Sequence, residues 1–454
     1  MEKPSIPDVH SASLDAEVTR LRLELDRVRE QLADTEKAFG RFVPRELLHL
    51  LSVDNVRAVR LGMQTERKMT ILFADIRNFT GLSETMTPQE NFDFLNSYLS
   101  QMEPMIVPYR GLIDKYIGDA IMALFPEATD DALRGALAML ERLEHYNKGR
   151  ARAGYIPIRI GIGVNTGIVM MGTVGGIGRM EGTVISDAVN LASRLEDMSK
   201  TYGVPLLISE HTLHSLEDPD RYAIRFLVRN RVKGKQEAQS VYEVFDADPP
   251  TMRAAKLRTR KRFQEALAFY FIGDIFRART RLVRCLEEVP EDAPARLYLD
   301  RCDEYLRNGH AEGIEENELV QTWSEEYSCG VADVDSHHRT LLSQLNALAL
   351  AVREERVADT PPILTRIEKE AHLQFATEEA LMQESRYVFA AEHIHQHRRF
   401  QANLARLGSE VDSGSENPVY LAFRIKLLLM DWTINHSIKT DRHFGQHLKS
   451  RSGG

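Results

Sequence analysis

The period of the hydrophobic pattern changes along the chain. Leu14, Val18, Leu21, Leu25, Val28 and Leu32 recur at alternating spacings of four and three, with Arg, Asp and Glu between them. That spacing makes the a and d seam of a coiled coil. Residues 1–40 are therefore expected to form a dimerising helix, and residues 41–67, punctuated by Pro44, a linker that resumes as a short helix. From 68 to 247 short apolar runs alternate with helical ones. MTILFADI and VPLLIS read as buried strands, IRIGIGVNTG as another, and LIDKYIGDAIMALF as two strands about a Gly-Asp turn. Residues 89–105, 131–146 and 184–198 have helical spacing. The order is βαββαβ-like, which predicts an α+β palm of the ferredoxin type.

The remainder reads as all-α. Over residues 252–310, Ala266, Tyr270, Gly273, Phe276, Ala278, Pro290, Ala295 and Tyr298 resemble about one and a half tetratricopeptide repeats. So short an array rarely stands alone, so a helical connector is expected. Residues 318–449, with breaks at 359–362 and 412–418, have the length of a four-helix bundle in up-down order.

Composition adds mainly exclusions. A chain of 454 residues with 43% hydrophobic and 28% charged residues is an ordinary multidomain globular protein. Its net charge of −9 gives no reason to expect nucleic acid. The basic run 253–262 is short and reads as the solvated start of a helix. Three scattered cysteines, Cys285, Cys302 and Cys329, make no disulfide framework. No signal peptide is legible and no apolar run reaches the ~18 residues of a bilayer span. A cytoplasmic location without membrane attachment is the expectation.

Two constellations carry chemistry. In the first, Asp75 ends an apolar strand and Asp119 follows Gly118 in a turn. The stretches KMTILFADIRNFTGLSE, GLIDKYIGDAIMALF and EGTVISDAVNLASRLE together resemble class III nucleotide cyclases over about 180 residues. The resemblance implies that Asp75 and Asp119, with the Ile76 carbonyl, bind two magnesium or manganese ions. Such a pair suits attack of a ribose hydroxyl on the α-phosphate. It implies that Asn190 orients the ribose and Arg194 stabilises phosphate charge, and these two lie four apart on one helix face. It also implies that Lys233 contacts the triphosphate, with Lys235 a rival in register. Lys115 and Thr183 fall where adenylate cyclases hold adenine, so ATP is the expected substrate. The family commonly has Gly where this chain has Ser186, which puts local geometry in question. Because the family divides its site between subunits, a homodimer is implied. GIGVNTG and GTVGGIG lack the fingerprint of a dinucleotide loop and read as strand-packing and hairpin-arm glycines.

In the second, nine of the 15 histidines lie beyond residue 330. His393 and His397 are four apart, as are Gln374 and Glu378. Imidazole with carboxylate suits iron. WSEEYSCGVADVDSHHRTLL, FATEEALM, HIHQHRRF and DWTINHSIKTD resemble bacterial hemerythrins over about 125 residues. The resemblance implies a non-haem diiron centre. His393, His397 and His436 would hold one iron, Glu378 and Asp441 would bridge, and His338 would bind the second. His436 and Asp441 are five apart, poor spacing for one face of an ideal helix. Gln374 stands where the family has a histidine. It is then a weak oxygen ligand, or the site is open to water, or one iron binds well. The expectation is an adenylate cyclase regulated by oxygen, another small diatomic or redox state at the diiron site. Guanylate cyclase activity and a non-catalytic nucleotide-binding scaffold are the alternatives.

Overall fold

The structure is a computed structural model that describes residues 9–39, 45–53, 56–176, 179–231, 238–309 and 320–452. Helix α1 (Val9–Phe39) lies within the predicted dimerising segment, whose residues 1–8 and 40 are outside the described residues. Val18, Leu21, Leu25, Val28 and Leu32 are each 42–54% exposed, so the single chain leaves their stripe uncovered. A short helix, α2 (Arg45–Leu50), precedes the first strand.

One mixed sheet organises the next part. Its elements run β1 (Gln64–Ile76), α3 (Phe79–Ser83), α4 (Pro88–Met102), β2 (Leu112–Ile117), β3 (Ala120–Phe125), α5 (Thr129–Arg152) and β4 (Ile160–Gly176). They continue through β5 (Arg179–Ile185), α6 (Asp187–Tyr202), β6 (Leu206–Ser209), α7 (Glu210–Ser215), β7 (Ile224–Arg231) and β8 (Ala238–Val244). The strand order is β2-β3-β1-β4-β6-β8-β7, with β5 paired to β4. The first four strands with α4 and α5 are a βαββαβ unit, because runs such as ILFADI are apolar enough to be covered on both faces. The first strand begins at Gln64, inside the expected linker. Val184 and Ile185, read from sequence as the start of a helix, end β5 instead. Their apolar character served a strand, and the helix waits for its cap at Ser186.

Three helices follow, α8 (Pro250–Phe271), α9 (Ile275–Glu288) and α10 (Ala293–Asn308). Ala266, Tyr270, Ala278, Ala295 and Tyr298 are buried, with the Tyr270 and Tyr298 rings 5.0 Å apart, whereas Phe276 is 73% exposed. These helices share a continuous core with the sheet. Arg225 of β7 pins them there: its guanidinium donates to both Asp292 oxygens at 2.7 Å and to Glu243 at 2.5 Å, all fully buried. The basic run is not wholly solvated, since Lys256 is buried and donates to Glu243 at 2.8 Å. A buried charge persists only when paired in this way.

The C-terminal unit consists of α11 (Ala332–Arg353), α12 (Thr360–Ser385), α13 (Ala390–Ser413) and a fourth rod. That rod comprises α14 (Pro418–Ile425), a π turn (Lys426–Met430), α15 (Asp431–His436), a second π turn (Ser437–Asp441) and α16 (Arg442–Ser452). Leu341, Leu345, Ile367, Phe400, Leu407 and Leu429 lie in its own core. Tyr420, Phe423 and Leu427 instead join the core of the sheet and connector. The three cysteines are free and buried. Among the described residues, no helix is long and apolar enough to cross a membrane.

Candidate active site and metal centre

Asp75 stands one residue from the end of β1, opposite Gly161 of β4. The turn joining β2 to β3 places Asp119 beside it. Gly118 adopts φ +66°, a conformation that a Cβ would disfavour, and so lets the turn close. The Ile76 N–H donates to Asp75 Oδ1 at 3.0 Å. Burial and the neighbouring Asp75 carboxylate push Asp119 up to about 7. One Asp119 oxygen is buried without a partner. Burial, then repulsion from Asp75, likewise raises Glu196 to about 7. Two crowded carboxylates with a spare buried oxygen suit a hard cation with oxygen ligands.

Lys115 and Thr183 come together although 68 residues apart. Lys115 Nζ donates to Thr183 Oγ1 at 3.1 Å and to Glu181 Oε1 at 3.1 Å. A register shift between Ile113 and Lys115 re-aims the lysine towards β5. Glu181 escaped sequence reasoning; its one signal was its place two residues before Thr183.

Helix α6 carries the other pair. Asn190 and Arg194 are exposed and line a cavity of about 610 Å³. At about 100° per residue, Glu196 lies about 160° around the helix from Arg194. Glu196 lies on the β4 side with the aspartates, so one chain presents the two halves of the candidate site on opposite sides of α6. The β4 glycines seat this helix. A Cβ at Gly163 would fall 2.3 Å from the Ala192 carbonyl and the Glu196 nitrogen. Ser186 is no defect: with φ −171° its backbone is extended, its hydroxyl donates to the Ile168 carbonyl at 2.7 Å and accepts from the Ala188 N–H at 3.1 Å. It is the N-cap of α6. Lys233 and Lys235 lie outside the described residues.

In the C-terminal unit, His338, Glu378, His393, His397, His436 and Asp441 converge, each buried to within 3%. Ligand atoms of Glu378, His393, His397 and His436 lie within 4.8 Å of one another, as do those of His338, Glu378 and Asp441. The spacing of His436 and Asp441 resolves in the backbone. The π turn Ser437–Asp441 carries i to i+5 bonding, so residues five apart share a face, and His436 Nε2 sits 3.1 Å from Asp441 Oδ1.

The outer atoms support the inward ones. His338 Nδ1 lies 3.2 Å from Ser437 Oγ, His397 Nδ1 3.2 Å from Glu379 Oε1 and His436 Nδ1 2.9 Å from Gln396 Oε1. Each contact orients a ring with Nε2 pointing inward, the usual support of a metal-ligating imidazole. Inside, His393 Nε2 and His436 Nε2 face each other at 3.0 Å. His338 Nε2 and Asp441 Oδ2 approach to 2.9 Å without hydrogen-bond geometry. Burial pushes His436 down to about 4. Against burial, Asp441 and Glu378 raise His393 to about 9. Against burial and the Asp441 charge, His393 and His397 hold Glu378 at about 2. The imidazole-and-carboxylate set, with His338 Nε2, His397 Nε2, Glu378 Oε2 and both Asp441 oxygens convergent and without hydrogen-bond partners, fits a metal centre.

Gln374 is buried here too. Its Nε2 donates to Glu378 Oε1 at 2.9 Å, and its Oε1 has no partner. His372 is exposed on another face. Sequence reasoning missed the aromatic walls: Phe375 stacks on His397 at 4.0 Å, Trp432 on His436 at 4.3 Å and Trp323 over His338 at 6.2 Å. The four-residue spacing of Trp432 and His436 was the available signal.

Comparison with known proteins bears on the first of these sites. Residues 61–244 match the family model described as the adenylate and guanylate cyclase catalytic domain. An adenylate cyclase of Anabaena cylindrica is 42% identical over 248 residues, 52% of this chain and 49% of that protein. The terminal-differentiation-specific adenylate cyclase of Dictyostelium discoideum is 34% identical over 284 residues, 61% of this chain and 13% of that protein. This chain thus spans half or less of those relatives. A bacterial light-regulated adenylyl cyclase structure overlaps 51% of this chain and 66% of that one, at 24% identity and a TM-score of 0.44. The palm-type sheet thus falls within the residues, 61 to 244, that match the adenylate and guanylate cyclase catalytic domain.

Proposed function

We propose that this protein is an adenylate cyclase, forming cyclic AMP and pyrophosphate from ATP at a site completed between two copies of the chain, and that its C-terminal unit reports oxygen or redox state. The observation that carries the enzymatic half is the pairing of Asp75 and Asp119, with a buried unpartnered oxygen, inside a cyclase-matched domain. Bound at Asp75, Asp119 and the Ile76 carbonyl, two divalent cations would supply activation of the ribose hydroxyl and neutralisation of phosphate charge. Lys115 and Thr183 present a donor and a hydroxyl, 3.1 Å apart, to the adenine edge. Asn190 orients the ribose, and the Arg194 fork holds phosphate oxygens as their charge grows. Since α6 places that pair away from its own aspartates, the second copy supplies the missing half, and α1 with its uncovered apolar stripe would hold the two together.

Helix α6 must sit within a fraction of an ångström for this to work. Gly163→Ala, which forces α6 away from β4, is expected to lower cyclic AMP formation at least about a hundredfold, measured beside a melting curve that shows a folded protein. Near-normal turnover would contradict the role given to α6.

The regulatory half rests on the buried histidine and carboxylate cluster. His338, Glu378, His393, His397, His436 and Asp441 would hold a non-haem diiron centre, which supplies oxygen-binding or redox chemistry when bound. The protein's part is to orient three of the four imidazoles through their outer nitrogens, to keep water out with Phe375, Trp432 and Trp323, and to leave Gln374 beside Glu378 where a stronger ligand would close the site. A site left partly open in this way suits a sensor better than an oxygen store.

The test is cyclase turnover measured anaerobically and in air, with optical spectra of the iron on the same sample. A difference of at least about threefold that tracks the iron spectrum is expected. No cyclic AMP with magnesium or manganese would sink the enzymatic reading. Equal turnover in both states of iron-loaded protein would sink the sensing one.

A further inference from the structure

The C-terminal unit is docked on the cyclase domain, and the contacts fall beside the candidate iron ligands. Glu392, next to His393, is ion-paired with Lys68 of β1 and lies 3.5 Å from Ser215 Oγ. Asn435, next to His436, donates to Glu210 Oε2 at 3.3 Å, while Asp431 at the start of the same helix pairs with Arg229 at 2.8 Å. His443, two residues past Asp441, has Nε2 3.1 Å from Glu66 Oε2 of β1. Its Nδ1 meets the Tyr387 hydroxyl at 2.6 Å, and the Tyr387 ring packs 6.3 Å from that of His393. A shift of the ligand helices therefore changes this seam directly. The connector α8–α10 is a poorer route, since it is welded into the cyclase core by the buried Arg225, Asp292 and Glu243.

The seam also walls in the exposed pair on α6. One wall of the cavity of about 610 Å³ carries Asn190 and Arg194; another carries His393, Trp432 and His436. A gap of this volume takes a small molecule. It does not admit the strand-and-turn edge of a second catalytic domain, which Asn190 and Arg194 need to meet.

Resting on the function proposed above, we propose that the docked unit is a closed state in which it and a second copy of the chain compete for the α6 face. The Glu392–Lys68, Asn435–Glu210, Asp431–Arg229 and His443–Glu66 contacts hold the closed state together with Tyr420, Phe423 and Leu427, which pack in the core of the sheet and connector. Binding of a metal at the cluster, if it moved the ligand helices, would change the closed fraction, because Glu392, Asn435 and His443 lie within two residues of His393, His436 and Asp441.

A charge swap tests this in the full-length chain. Lys68→Glu places two carboxylates together. It is expected to speed amide hydrogen exchange in α7 and α13 at least about fivefold, and to raise magnesium-supported turnover of the iron-free protein. Exchange in α11 and α12 should stay slow, showing an intact unit. Adding Glu392→Lys restores an ion pair of reversed polarity and should return both readouts to within about twofold of the parent. Unchanged exchange in Lys68→Glu, or no recovery in the double variant, would overturn the proposal. Should Lys68→Glu fail to fold, Glu66→Gln at a 40% exposed position gives the same comparison, with a smaller shift in the same direction expected. Absence of cyclic AMP in every variant would count against the enzymatic reading, while exchange at the seam still decides the docking.

Discussion

Asp119→Ala and Arg194→Ala are each expected to lower cyclic AMP formation at least about a thousandfold, and mixing the two inactive proteins is expected to restore about a quarter of the parent activity. The loss follows from what each group does. Asp119 is half of a carboxylate pair whose crowding a cation would relieve, and Arg194 is the fork proposed above to meet phosphate charge. The recovery follows from α6. Asn190 and Arg194 lie on one side of that helix, while Glu196, on the other, senses Asp75 and Asp119. In a mixed dimer one site combines both lesions and the other has neither. With random exchange about half the dimers are mixed, and each has one competent site. Mass measurement of the mixed dimers is the control. If they form and remain inactive, the site closes within one chain and the reading of α6 is wrong.

His397→Ala and Glu378→Ala are expected to lower iron content to well below that of the parent, with affinity falling more than about a hundredfold. Both side chains are fully buried at the point where the ligand atoms converge, so neither can be replaced by a neighbour. Glu379→Gln weakens only the contact that orients His397, at 3.2 Å, and should cost about tenfold. Gln374→His is expected to act in the opposite direction and raise iron content, since position 374 is already buried against Glu378. Iron per chain by elemental analysis, with optical spectra, reads all four. Unchanged iron in His397→Ala would remove the metal centre from this cluster.

Much of the cyclase half is local and so was legible. The apolar runs of β1, β3 and β4 differ in period from α4 and α5, and the Gly-Asp turn announces itself at Gly118 and Asp119. Four-residue spacing alone put Asn190 with Arg194, and His393 with His397. The connector and the helical C-terminal region were visible in the same way. Where local apolarity suited either state, as at Val184 and Ile185, the pattern misled, because pairing with β4 rather than propensity decided it.

Other features depended on partners distant in the chain. The doubt over Ser186 disappeared once its hydroxyl met Ile168 and Ala188. Lys115 and Thr183 meet only because β5 folds back on β4 and a bulge turns the lysine. His436 and Asp441 looked mismatched because ideal helical geometry was the only ruler available; a π turn, held by the packing of the fourth rod, brings them together. The sequence by itself determined the elements and most of the residues that could do chemistry, since periodicity, turn residues and side-chain type are local properties. Only the tertiary structure decided which of those residues meet, what supports them and that the helical unit lies against the α6 face, because those depend on contacts between segments up to hundreds of residues apart.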